Sequence, residues 1–247
     1  MMIDAWPPME RAALGSWVLR ASRGFTGRGN SVVTVGDPGL ALGDAIDTAQ
    51  LWYAARGLPP NFTLAGPVGF DPWADPVGAQ LRERGYAGRT PTLTLTAAVT
   101  EVVARSNAAA AERLGSTVTF DSHLEDDWLA AYANYRPIDE VAARAILTGP
   151  PTVVFARIDD EAAPIAIGRL AIAGGWGGIA AMWVDPAHRR AGLGRSLLTA
   201  LASAAQRHGV TSLHLQTDST NTAALTLYAA HGFVEHHAYV NVTPALP

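Results

Sequence analysis

The stretch VDPAHRRAGLGRSLLTAL, Val184 to Leu201, sets three arginines and two glycines in a turn between an apolar strand and an amphipathic helix. The first turn of a helix presents backbone N–H groups without partners, and the helix dipole makes that end positive. Glycines at 192 and 194 let the main chain approach an anion where a Cβ would obstruct it. Arg189, Arg190 and Arg195 add charge-assisted donors. The chemistry that suits such a turn is the binding of a pyrophosphate. The Lys-Ser/Thr ending of a nucleotide P-loop is absent, so the anion belongs to another kind of ligand. A glycine-closed turn with solvated arginines has the same composition, and a second cluster is needed to separate the two readings.

That cluster begins twenty-seven residues after Gly194, in NTAALTLYAAHGF, with Asn221, Ala224, Leu227, Tyr228 and Gly232-Phe233. Together the two stretches resemble the GNAT N-acetyltransferase superfamily, over roughly Ser116 to Thr243. In that resemblance Arg189-x-x-Gly192-x-Gly194 corresponds to the acyl-CoA pyrophosphate loop, and Asn221 to Phe233 to the second cofactor motif. The resemblance implies acetyl-CoA as co-substrate and a primary amine, on a small molecule or a peptide, as acceptor. It implies that the backbone of Met182, Trp183 and Val184 pairs with the pantetheine arm, in a slot where this strand splays from LHLQT. The loop Arg189, Arg190, Ala191, Gly192, Leu193 and Gly194, with Arg195 and Ser196, would hold the pyrophosphate. Asn221 would contact the pantetheine or order the loop before its helix. Tyr228 would protonate the departing thiolate as general acid, although on its helix alone it reads as an ordinary apolar-face aromatic.

An attacking amine must also lose a proton, and WGGIAAMWV carries no carboxylate to receive it. Asp218 is the first candidate base, with His214 on the same face of the strand. Asp218 also suits a cap of the following helix. His123, Glu125 and Asp126 are candidate substrate contacts, or simply an acidic helix start. The absence of cysteine removes a covalent thiol intermediate and fits direct attack in a ternary complex. A function of another class, a non-catalytic acyl-CoA-binding sensor or regulatory protein, would use the same loop. Tyr228 favours the enzyme.

The elements that must position these groups follow from periodicity. Strands are expected at TVTFDSHL, TVVFARI, PIAIGRLAIA, WGGIAAMWV, TSLHLQT and FVEHHAYVNV, and helices at EDDWLAAYANYR, IDEVAARAILTG, Leu193 to Gly209 and NTAALTLYAAH. The earlier half echoes this order, with strands at SWVLRAS, NSVVTVGD, NFTLAG and TPTLTLTAA and helices at GDAIDTAQLWYAARGL and DPVGAQLRERGY. Its VGDPGLALG stands where VDPAHRRAGLG stands later and carries no arginine. WVLRASRGFTGRGNS with YAARGLPPNF is similar to a group of two-domain GNAT proteins in which a degenerate half precedes the active one. The expectation is an α/β GNAT fold, a mixed twisted sheet flanked by helices in two tandem copies. Residues 1–107 would form the degenerate half and 108–247 the catalytic one, with TEVVARSNAAAAERLGS as the joint.

The remaining features narrow the function. RASRGFTGRGN sets three arginines among glycines, as a loop between strands reaching the cleft or as a holder of phosphate or carboxylate. His236 and His237, adjacent on a strand, should point to opposite faces, and no metal site is expected. A net charge of −4 over 247 residues argues against nucleic acid as partner. PIAIGRLAIAGGWGGIAAMWV alternates and contains an arginine and five glycines, which reads as two strands and not a membrane span. No basic leader precedes an apolar run, and a cytoplasmic location is expected.

Overall fold

The computed structural model describes residues 3–110, 117–161 and 163–245. The first half runs β1 (Glu10–Leu14), β2 (Trp17–Ala21), β3 (Val32–Val33), α1 (Leu42–Ala54), β4 (Phe62–Gly66), α2 (Pro76–Glu83), β5 (Tyr86–Gly88), β6 (Thr92–Ala98) and α3 (Val99–Ala110). The second runs β7 (Thr119–Asp121), α4 (Asp126–Tyr135), α5 (Glu140–Thr148), β8 (Thr152–Asp160), β9 (Ala163–Ala173), β10 (Trp176–Val184), α6 (Leu193–Arg207), β11 (Ser212–Asp218), α7 (Thr222–Ala230) and β12 (Val234–Pro244).

The strands form one twelve-stranded sheet, ordered β1-β2-β3-β4-β12-β6-β11-β10-β9-β8-β7, with β5 beside β12. The echo between the halves holds in this topology. An antiparallel set, β1 to β3 or β8 to β10, leads through a helix to a parallel neighbour, β4 or β11. The last strands are exchanged. β6 pairs antiparallel with β11, β12 pairs antiparallel with β4, and β6 and β12 pair with each other at the centre.

Periodicity explains the helices. Leu193, Leu197, Leu198, Leu201, Ala202 and Ala205 of α6 are all buried, against β8 to β11 and α3. Each such leucine stabilises the fold by about 2 kcal/mol through the apolar surface removed from water. The opposite face of this sheet is covered by α4 and α5, whose Trp128, Tyr132 and Ile146 pack with Phe155, Ile167 and Trp183. The first half has its own core, in which Trp17, Tyr53, Phe62 and Leu81 are buried together.

Several elements differ from the expectation. The strand expected over NSVVTVGD is only Val32–Val33, because Gly36 and Gly39 take positive φ and turn the chain. β1 was not foreseen, since ERAAL lacks the β-branched and aromatic residues that mark strands. The expected joint begins as helix α3, directly after β6; its residues 111–116 lie outside the described residues. His236 and His237 do not diverge. A bulge between Glu235 and His237 turns the strand, and their Nδ1 atoms lie 2.9 Å apart. Among the described residues no helix is long and apolar enough to cross a membrane.

One buried cation ties the beginning of the chain to the second half. Arg169 on β9 is fully buried, donating from Nε to the Leu147 carbonyl (2.8 Å) and from Nη1 to the Ala5 carbonyl (3.1 Å). It thereby satisfies a carbonyl at the end of α5, which has no partner within the helix. Burial pushes its pKa down to about 9.

Candidate active site

β10 and β11 run parallel and paired from Trp176↔Ser212 to Ile179↔Leu215, and the pairing stops there. On its other side β10 bulges. Ala180 faces Arg169 and Trp183 faces Ile167, so Ala181 and Met182 together oppose Gly168. Ala181 takes φ +55° at this bulge, which bends the strand and re-aims its backbone groups. Where the strands part, a cavity of about 360 Å³ opens. Its walls are Ile179 to Met182 of β10, Gln216 to Asp218 of β11, and Asn221, Ala224 and Tyr228 around α7. Tyr132, Tyr135 and Arg136 come from α4 and its end, and Thr26, Gly27, Arg28 and Thr92 from the first half.

Tyr228 is 6% exposed and borders this cavity. Burial, with a smaller contribution from Tyr135, pushes its pKa up to about 12, so the hydroxyl stays protonated at any ordinary pH. Asn221 caps α7, its Oδ1 accepting from the Ala224 N–H at 3.2 Å, which satisfies one unpaired donor of the first turn. Asp218 does not cap the helix directly. Its Oδ1 accepts from the N–H (2.8 Å) and hydroxyl (2.6 Å) of Thr220 and closes the turn that leads to Asn221. Among the described residues it is the one carboxylate lining the cavity.

The arginine-glycine turn follows β10. Asp185 Oδ1 accepts from the Ala187 N–H at 2.7 Å and starts a single 3-10 turn over Pro186–His188. Arg190 takes φ +67°, Ala191 is exposed, and Gly192, at φ +87°, is the N-cap of α6. The side on which a Cβ of Gly192 would project is open, with no atom within 4 Å. A Cβ on Gly194 would make ordinary contact with Leu227 (3.5 Å) and Val184 (3.9 Å). Arg190 and Arg195 are exposed, and Arg189 Nε donates to the Val184 carbonyl at 3.3 Å. The Ser196 N–H makes the first helical bond, to the Gly192 carbonyl (3.1 Å), while Leu193 is buried beneath.

The other candidates divide. Met182 lines the cavity, whereas the Trp183 ring is buried on the opposite face with Phe155 and Ile167. His123 borders a separate hollow beside Arg144 and Pro151, and Asp126 pairs with Arg144. His214 is buried against Gly178 and does not line the cavity. Among the described residues neither of its ring nitrogens has a hydrogen-bond partner.

Burial, reinforced by Arg28, pushes the His214 pKa down to about 4. The fold therefore holds this ring neutral, while the unfolded chain protonates it near 6.5. Its contribution is fully present above that value and is lost as pH falls from about 6.5 to about 4, up to about 3 kcal/mol. Urea unfolding of the wild type and His214→Leu between pH 7 and 4 checks this: the wild type should show the steeper decline. Equal slopes would refute it.

Trp6 is a contributor that periodicity could not reveal, since it sits between alanine and two prolines. Its indole N–H donates to Thr26 Oγ1 at 3.2 Å and its ring supports Arg28 at 4.4 Å. The visible signal was RASRGFTGRGN, with arginines at glycine-rich spacing.

Strand splay, bulge, glycine-capped helix and buried tyrosine together define an N-acetyltransferase of the GNAT class. The chain belongs to the family described as "Probable histone acetyltransferase Rv0428c C-terminal", whose profile matches residues 1–242. Among curated proteins it is 29% identical over 245 residues to the uncharacterized N-acetyltransferase YobR of Bacillus subtilis (strain 168), covering 94% of this chain and 93% of that protein. Among solved structures it is similar to a GCN5-related N-acetyltransferase from Kribbella flavida, with TM-score 0.70 at 18% identity, covering 100% of this chain and 93% of the other. It is also similar to a tandem GNAT protein from the clavulanic acid biosynthesis pathway, with TM-score 0.60 at 16% identity, covering 88% and 76%.

Proposed function

We propose that the protein transfers the acetyl group of acetyl-CoA to a primary amine by direct attack in a ternary complex. The observation that carries this reading is the cavity at the β10/β11 splay, with the Tyr228 phenol in its wall. In this reading residues 108–247 hold the acyl-CoA, and the first half, 1–107, has lost its own anion turn and supplies the acceptor-side wall.

The pantetheine arm enters between β10 and β11 along Met182 to Val184, and the pyrophosphate sits on the N-terminus of α6 at Arg189 to Ser196. The neutral amine attacks the thioester carbonyl carbon, and backbone N–H groups at the Ala181–Met182 bulge face the developing oxyanion. Collapse of the tetrahedral intermediate breaks the C–S bond. The thiolate takes the Tyr228 proton, and solvent returns a proton to the phenolate. The surplus proton of the new amide nitrogen leaves through water toward Asp218.

The test uses a feature of the composition. The chain has no cysteine, so a thiol reagent reports released CoA alone. The protein incubated with acetyl-CoA and an amine panel should release CoA only when an acceptor is present. Tight acetyl-CoA binding in a calorimeter with no release across the panel would show a sensor instead.

A further inference from the structure

The loop RASRGFTGRGN brings an arginine of the first half to the wall of a cavity built mostly by the second. Arg28 lines it, and so does Arg136, immediately after α4. Their neighbour Arg23 is neutralised, donating from Nε to Asp139 Oδ2 at 2.9 Å. Arg28 and Arg136 have no carboxylate within ion-pair distance among the described residues. Arg28 lies on Trp6 and donates from Nη1 to Gln216 Oε1 at 2.8 Å. Arg136 lies 4.7 Å over the Tyr135 ring, and its Nε is buried without a hydrogen-bond partner among the described residues.

Two guanidinium groups therefore stand in the cavity against one lining carboxylate, Asp218, whose Oδ1 already accepts from Thr220. Both act on the Tyr132 hydroxyl, lowering a pKa that burial raises. A buried, unpartnered guanidinium N–H is costly, and an incoming acceptor oxygen relieves that cost.

We propose that the acceptor is an amine that carries its own carboxylate, as an α-amino acid does, and that Arg136 and Arg28 bind this carboxylate. The inference rests on the transferase reading above and names its substrate class. Guanidinium groups suit carboxylates because their planar N–H forks match the two oxygens. A lysine-rich peptide fits poorly. Its flanking cations would meet the two guanidinium charges, where partial exclusion of water strengthens repulsion.

The experiment compares L-amino acids with their C-terminal amides and with a lysine-rich basic peptide, following CoA release. In parallel, calorimetry in the presence of CoA compares N-acetyl-amino acids with their amides. The free acid should exceed its amide in kcat/KM by about tenfold or more, chiefly through KM. Arg136→Gln and Arg28→Gln should erase that ratio, and Arg136→Lys should restore part of it. The ratio itself is read on the unaltered protein, so it does not depend on a variant folding. Amides or the basic peptide turning over as well as the acids would overturn the carboxylate site and leave the transferase standing. An acid preference that survives both glutamine substitutions would overturn its assignment to these arginines. Acid-selective binding without CoA release from any acceptor would remove the transferase reading and the acceptor role with it, leaving only a carboxylate site.

Discussion

Tyr228→Phe is expected to lower kcat for amine-dependent CoA release by about 10²–10³-fold, with acetyl-CoA affinity unchanged, as for loss of a general acid. The substitution removes one oxygen from a ring that is 6% exposed and packs against Phe233 at 5.9 Å. The ring and its apolar contacts remain, so the unfolding midpoint should move little. That separates a chemical role from a packing one: a structural tyrosine would show its loss in stability and not in kcat. The pH profile gives a second check. With its pKa pushed up to about 12, Tyr228 holds its proton throughout the accessible range. Activity should therefore rise with pH as the acceptor amine deprotonates, with no alkaline limb from the phenol below about pH 10. An unchanged kcat in Tyr228→Phe would take the proton donor away from α7.

Gly192→Glu should weaken acetyl-CoA binding by about 100-fold or more and abolish turnover. Two effects add. A residue with a Cβ pays about 1–2 kcal/mol in the left-handed region that Gly192 occupies at φ +87°. The new carboxylate would also stand at the N-terminus of α6, where the pyrophosphate is proposed to lie, and two anions there repel. Because nothing lies within 4 Å of the Cβ position, the side chain meets no steric barrier and the chain should still fold. Gly192→Ala isolates the first effect and should cost about thirtyfold at most. Calorimetric titration of acetyl-CoA into the three proteins measures both. Wild-type affinity in Gly192→Glu would mean that this turn holds no pyrophosphate, and the proposed function would fail at its base.

The legible parts of the fold were those whose physics is local. α6 was readable because Leu193, Leu197, Leu198 and Leu201 repeat at helical spacing and one face of the helix is buried. Gly192 was readable as a glycine at the start of α6, but its place as N-cap at φ +87° came from the structure. The site was readable as two motifs, but its walls were not. Arg136 follows an ordinary helix end, Trp6 sits among prolines, and nothing near Arg28 announces that it will meet Gln216, 188 residues away in sequence. The histidine pair was misread because alternation assumes a regular strand, and the bulge at Glu235/His237 breaks it.

What the sequence determined by itself was the succession of elements in the second half, the echo of that succession in the first, and the places of the arginine-glycine turn before α6 and of the tyrosine helix α7. Hydrogen bonds and side-chain periods within a few residues specify these. Tertiary structure decided which strands become neighbours. β6 lies between β11 and β12, and β12 lies between β4 and β6, pairings that all span more than a hundred residues and leave no local trace. That exchange joins both halves in one sheet. It sets the loop carrying Arg28 against the cavity at the β10/β11 splay, so that arginine reaches the cavity through packing and not through any motif.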